Sequence, residues 1–238
     1  MRKAFLSSLL FISFISCTTL QQTTGTLPTG NNNPTQAQIV QGLKQALAIG
    51  TQNSTSRLSV VDGFFADAAV KILMPPEAQQ VEKTLRQFGL GSLVDKTILS
   101  LNRAAEDAAK SATPIFTNAI KQMTINDALS ILQGGDFAAT NYFKEKTTAS
   151  LTAAFKPVID QSLNKVDATK YWSDLFTTYN KFATKKVPAD LSAYVTQKAI
   201  DGIFYEVGLE EQKIRQDPTA RVTDLLKKVF GSQQTQLK

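Results

Sequence analysis

The chain has 238 residues, 42% hydrophobic and 19% charged, with 26 basic side chains against 20 acidic ones and a net charge of +6. That balance suits one globular domain with a sizeable core. It contains no histidine and a single cysteine, Cys17, which excludes Ser-His and Cys-His catalysis and histidine-containing zinc or di-iron sites.

Arg2 and Lys3 give a positive start, residues 4–15 are apolar apart from serines, and the small Ser16 precedes Cys17. This is the layout of a secretory signal peptide. The apolar run is too short to span a bilayer, which takes about 20 residues. Cleavage before a cysteine resembles the bacterial lipoprotein signal, in which that cysteine receives fatty acyl chains such as palmitate. The alternative is a plain signal peptide with a cysteine nearby by chance. Phe14-Ile15-Ser16-Cys17 departs from the lipoprotein pattern at its first position, usually an aliphatic residue. Acyl chains contribute about 0.8 kcal/mol per buried methylene, and one chain alone anchors only marginally. Residues 17–35 read as the lipidated cysteine and a tether without any charge, which cannot bury enough apolar surface to order itself. Its r.m.s. reach is roughly 20–25 Å. No acidic residue follows Cys17 before Asp62; by resemblance to lipoprotein sorting rules, this predicts an outer-membrane anchor facing the periplasm.

Residues 36–231 read as one all-α helical bundle of about eight helices. Ile39, Leu43 and Leu47 make a first stripe that Gly50 ends. Residues 51–75 read as irregular, with Val70 to Leu73 extended before Pro75-Pro76. Glu77 to Phe88 reads as a helix stopped at Gly89. Ser92 with Asp95 suggests a capping box, followed by a helix whose buried face is Val94, Ile98, Leu101, Ala105 and Ala108. Pro114 opens a short helix to Met123. Thr124, with Asp127 three residues on, caps the next. Gly134-Gly135 predicts a left-handed helix stop, with Asp136 capping the helix that follows. A phosphate-loop reading of Gly134-Gly135-Asp136 lacks the Lys-Ser/Thr such a loop needs, and the aspartate would repel phosphate.

A stripe of Leu151, Phe155, Ile159, Leu163 and Val166 passes Pro157, where a kink or break is expected. Tyr171, Trp172, Leu175, Tyr179 and Phe182 form an aromatic face, suited to core or to a lipid pocket. Asp190 caps a long helix with the stripe Ile200, Ile203, Phe204, Val207 and Ile214. Asp217-Pro218 opens the last helix, Gly231 closes it, and 232–238 is a frayed tail.

Four segments carry a resemblance. They are Asn-Arg-Ala-Ala-Glu at 102–106, Met-Thr…Asp-Ala…Leu-Gln-Gly-Gly at 123–135, Tyr-Val-Thr-Gln-Lys-Ala…Asp-Gly at 194–202 and Leu-Leu-Lys-Lys-Val-Phe-Gly at 225–231. The chain from about 37 to 231 resembles a bacterial secreted helical family known only as domain of unknown function forty-one ninety-seven. The resemblance implies a helical domain behind a signal peptide and transfers no catalytic residue.

Three polar stretches on amphipathic helices, 102–107, 120–143 and 194–218, supply a candidate cluster: Asn102, Arg103, Glu106, Lys198, Asp201, Glu210 and Arg215. Glu211 and Arg215 are four apart with glutamate first, the favourable order, and Glu206 and Glu210 are placed on the same face. Arg103, Glu106, Asp201, Glu210 and Arg215 are expected near one another across two packed helices. They read as ion pairs and caps fixing helix register, as a ligand cleft, or as a carboxylate metal site. No Asp-x-Asp-x-Asp run supports calcium, and no metal or cofactor is expected. Cations are scattered, so no nucleic-acid surface is expected. The leading functional reading is a non-catalytic module held at the membrane by its lipid anchor, binding an envelope protein or organising the envelope. The alternatives are a carrier of an apolar ligand or lipid between helices, and a carboxylate-dependent hydrolase.

Overall fold

The computed structural model describes residues 34–165 and 190–236, and between them 169, 172, 177, 180, 181, 186 and 187. The leader, Cys17 and most of the tether lie outside the described residues, as do Val166, Tyr171, Leu175, Tyr179 and Phe182. Trp172 is described and buried. Among the described residues there are eight α-helices and no strand, and the chain from Asn32 onward forms one compact unit.

Helix α1 spans Gln36–Leu58 and starts in a capping box between Thr35 and Gln38. It does not stop at Gly50. Helical hydrogen bonding continues through a Thr/Ser-rich turn, where the Thr51 and Ser54 hydroxyls donate to the Leu47 and Gly50 carbonyls and so stay buried without an orphaned polar group. The irregular segment is therefore shorter than expected and begins at Ser59. A 3-10 turn at Pro76–Ala78 leads into α2, Gln79–Gln87. Gly89, at φ +79°, ends α2 in the left-handed region, where a Cβ would be strained.

Helix α3, Gly91–Ala109, buries the expected face. Ser92 does not cap it: the cap position is Leu90, and Asp95 instead meets Arg86 at 2.8 Å. Helix α4 spans Ala112–Gln122, so Pro114 sits inside its first turn. Helix α5, Ile125–Gln133, starts in the expected Thr124–Asp127 capping box. Helix α6, Ala138–Asn164, runs through Pro157 without a break. Helix α7, Leu191–Gln216, is capped by Asp190, whose carboxylate accepts the Ala193 N–H. The last helix does not open at Asp217-Pro218. Asp217 accepts the Thr219 N–H and makes a local turn, Pro218–Ala220 is a 3-10 turn, and α8 spans Asp224–Gln236 with Thr223 capping Leu226. α8 also continues past Gly231.

Helix α7 packs on α6, α1 and α3, while α1 also carries α4, α5 and α8. The core holds Phe64, Phe116, Phe143 and Phe155, with Phe116 edge-on to Phe143 at 5.3 Å and to Phe204 at 6.1 Å. Ala104, Ala105, Ala108 and Ala109 are fully buried, and such small side chains let α3 lie close to its neighbours. Helix α2 buries no residue and packs chiefly on α3.

Candidate functional site

The irregular stretch 59–75 is threaded along α3 and held by that helix's side chains. Asn102 is fully buried. Its Oδ1 accepts the Ile72 N–H at 2.8 Å and its Nδ2 donates to the Ile72 carbonyl at 2.8 Å. Glu106, one turn on, accepts the Phe64 and Phe65 N–H groups on Oε1 at 3.1 and 3.2 Å. An irregular backbone inside a fold must satisfy its polar groups somewhere, and here two side chains at i and i+4 do it. Arg103 Nη1 meets Glu106 Oε2 at 2.6 Å and Arg103 Nη2 meets Asp62 at 2.7 Å. Those two carboxylates hold the Arg103 guanidinium above its usual pKa, chiefly through the hydrogen bonds. Asp62 sits at φ +69°, a region aspartate tolerates better than most residues. The anchored loop pushes Phe64 against Gly202 of α7, where a Cβ would lie 2.6 Å from the ring.

A second network closes the α5–α6 turn. Phe137 holds the cap position of α6 and has no side-chain acceptor to offer. Glu211 of α7 supplies it: Oε1 accepts the Ala139 N–H at 2.9 Å, and Oε2 accepts the Thr140 N–H and hydroxyl at 2.8 Å each. A carboxylate at a helix N-terminus also meets the positive end of the dipole. Arg215 donates to Glu211 Oε1 from Nε and Nη2, and to the Ile131 carbonyl at 2.7 Å. One ion pair thus joins the end of α5 to the start of α6. A void of about 20 Å³ beside it, bordered by Leu43, Ala46, Ile214 and Phe230, is room for one water.

Gly134-Gly135 is not a left-handed turn. Gly134 lies at φ −76°, ψ 171°, and Gly89 is the only glycine with positive φ among the described residues. Glycine is needed at 134 for space: a Cβ would fall 2.5 Å from the Ala138 Cβ and 3.0 Å from the Ser130 carbonyl oxygen. At Gly135 a Cβ would meet nothing within 4 Å. Asp136 does not cap α6.

The seven candidate residues do not join into one cluster. Asn102, Arg103 and Glu106 form the loop clamp, and Arg215 belongs to the α5–α6 clamp. Lys198 and Asp201 make an exposed pair at 3.9 Å. Glu210 faces α1, where Asn53 donates to it at 2.9 Å, and it pairs with Lys213. No hydrogen bond or ion pair among the described residues links the Arg103 group to Glu210 or Arg215. Glu206 and Glu210 also lie on a different face from Glu211 and Arg215: they turn to α1, the latter pair to α6.

Sequence reasoning named Glu206 for its helix face but left it out of the candidate cluster. Its side chain is 2% exposed, Oε2 is 3.4 Å from the Arg57 guanidinium, and Oε1 has no hydrogen-bond partner among the described residues. Burial raises its pKa against the opposing pull of Arg57. Sequence reasoning missed Arg221, buried and donating to the Ile214 and Arg215 carbonyls at the end of α7. The available signal for Glu206 was its place beside the apolar stripe residues Ile203 and Val207.

A cleft of about 580 Å³ opens between α4 and α6, bordered by Asn118, Gln122, Thr124, Asp127, Tyr142 and Lys146. Its acid, Asp127, is held below the ordinary aspartate pKa by the Thr124 N–H and hydroxyl. Burial pushes the Tyr142 hydroxyl up. Lys146 pairs with Glu145 at 2.8 Å. No group of three or more Cys, Asp or Glu that could hold a metal ion occurs among the described residues. The arrangement offers an ionised cap and a paired lysine, with no carboxylic acid poised to donate a proton.

A family model described as a protein of unknown function (DUF4197) matches residues 33–231. No curated protein and no solved structure matches the chain.

Proposed function

We propose that this chain, which belongs to the DUF4197 family of proteins of unknown function, is a non-catalytic helical module. In this reading Cys17 carries the lipid anchor, the domain faces the periplasm from the outer membrane, and it binds an envelope partner through its surface. The observation that carries the non-catalytic half is the saturation of Glu106 and Glu211. Each of these two buried carboxylates is engaged by backbone N–H groups and an arginine, so each serves as a clamp between chain segments. General acid–base work needs a carboxyl free to reach a substrate proton and tuned near the working pH. The leader and the lone Cys17 support the anchored half.

Arg103→Ala separates this reading from a catalytic one. A clamp residue should lower the melting temperature, and cellular function should return when the variant is grown cool. A variant that melts like the parent yet loses function would sink the non-catalytic reading. Intact-mass measurement of the detergent-extracted protein tests the anchor: a chain beginning elsewhere than Cys17, or a Cys17 without added acyl mass, overturns it.

A further inference from the structure

The α2–α3 hairpin ends in an apolar tip that nothing among the described residues covers. Phe88 is 78% exposed, Leu93 55% and Leu90 45%. The tip is built, and not a frayed end. The Gly89 N–H bonds the Arg86 carbonyl at 3.1 Å and the Leu90 N–H reaches the Leu85 carbonyl at 2.9 Å, the paired bonds of a Schellman turn. Arg86 then staples the two helices, meeting Glu82 of α2 at 3.0 Å and Asp95 of α3 at 2.8 Å. The apolar side chains are therefore presented by a fixed turn, with no ordering left to be done on binding.

Charge says what the tip meets. Glu82 and Asp95 are both taken by Arg86. Lys83 and Lys96, one on each helix, are exposed and have no ion-pair partner among the described residues. Apolar side chains on a projecting turn, flanked by free lysines, match a bilayer surface: the apolar groups reach the acyl boundary and the ammonium groups meet lipid phosphates. We propose that the α2–α3 tip inserts shallowly into a bilayer bearing anionic headgroups, with Phe88, Leu90 and Leu93 submerged and Lys83 and Lys96 at the phosphates. The proposal rests on the reading of a membrane-tethered domain and adds orientation to it: a flexible tether fixes distance from the membrane, and a second contact fixes which face of the bundle looks outward.

The test uses the full mature chain carrying Cys17→Ala, so that no acyl chain contributes. Vesicles of phosphatidylethanolamine with phosphatidylglycerol should retain it on flotation, and vesicles of phosphatidylcholine alone should retain much less. Losing one buried Phe or Leu side chain weakens partition by about tenfold or more. Phe88→Ser with Leu90→Ser and Leu93→Ser should therefore abolish retention while leaving the melting temperature unchanged. Lys83→Glu with Lys96→Glu should remove the preference for phosphatidylglycerol. Retention unaffected by the triple change, or no retention at all, overturns the proposal. So does concentration-dependent self-association that the triple change dissolves without any vesicle binding, because the tip would then cover a second copy. An unlipidated Cys17 in the native protein would sink the anchor while leaving this assay's outcome untouched.

Discussion

Glu206 places a carboxylate where α7 meets α1, with one oxygen near Arg57 and the other without a partner among the described residues. Asp67, Glu210 and Lys213 complete the charges that face it. Burial favours the protonated form, so the folded pKa lies above the unfolded value of about 4.5. A raised carboxyl pKa gives stability that is fully present below the unfolded value and is lost as pH rises through the folded one. Glu206→Gln should therefore melt near the parent at pH 4 and above it at pH 8. Thermal melts across that range check it, and a variant less stable at pH 8 would mean that the Arg57 pair outweighs the burial. The glycine pair gives a second contrast. Gly134→Ala forces a Cβ into Ala138, and overpacking of that kind costs about 1–3 kcal/mol, a drop of several degrees for a domain of this size. Gly135→Ala meets open space and should melt within about a degree of the parent.

At the scale of elements, the ends of helices and the long irregular connection are held from a distance. Glu211 does for α6 what its own cap residue, Phe137, cannot. Removing one partner of a buried ion pair costs about 3–5 kcal/mol because the other charge is left stranded. Glu211→Ala should lower the melting temperature by on the order of 10 °C. Hydrogen exchange at the Ala139 and Thr140 amides should accelerate before that of the helix interior, since the freed N–H groups lie in the first turn. Equal acceleration along all of α6 would argue that the helix is held by packing alone. The Asn102–Glu106 clamp acts similarly on residues 62–72: Asn102→Ala leaves the Ile72 N–H and carbonyl unpaired in the core. Local caps such as Thr124–Asp127 and Asp190 were legible in the sequence because both partners lie within three residues. The caps at Ser92, Asp136 and Asp217 were misread by the same rule, because a short polar side chain beside a helical run announces a cap only when the backbone there adopts the right conformation.

Over the whole molecule, the proposed leader and tether precede a bundle whose start is fixed by the Thr35 cap of α1. Cys17→Ala should release the protein from the membrane fraction with its melting temperature unchanged, because Cys17 lies far along the chain from that cap. Fractionation and a melt of the purified variant check both halves. A lowered melting temperature would mean that the leader-proximal segment packs on the bundle. Among the described residues no helix is long and apolar enough to cross a membrane. The attachments proposed above are the acyl group and the α2–α3 tip.

The sequence by itself determined the all-α class, most helix spans and the buried stripes of α3, α6 and α7. Those follow from a 3.6-residue apolar period that each helix carries within itself. Its polar stretches were also visible as units, and four short segments marked the family. What they do was decided by tertiary structure. Glu106 and Phe64 are 42 residues apart in the chain, Glu211 and Ala139 72 apart, and no local pattern encodes which distant backbone a carboxylate will meet. Glu210 and Glu211 are adjacent and face different helices, a separation of roughly 100° around the helix axis that a reading by charge density merges. The single expected cluster became two clamps and two surface pairs for that reason. The exposure of Phe88, Leu90 and Leu93 was likewise a tertiary matter: an apolar residue looks the same in sequence whether a neighbour covers it or none does.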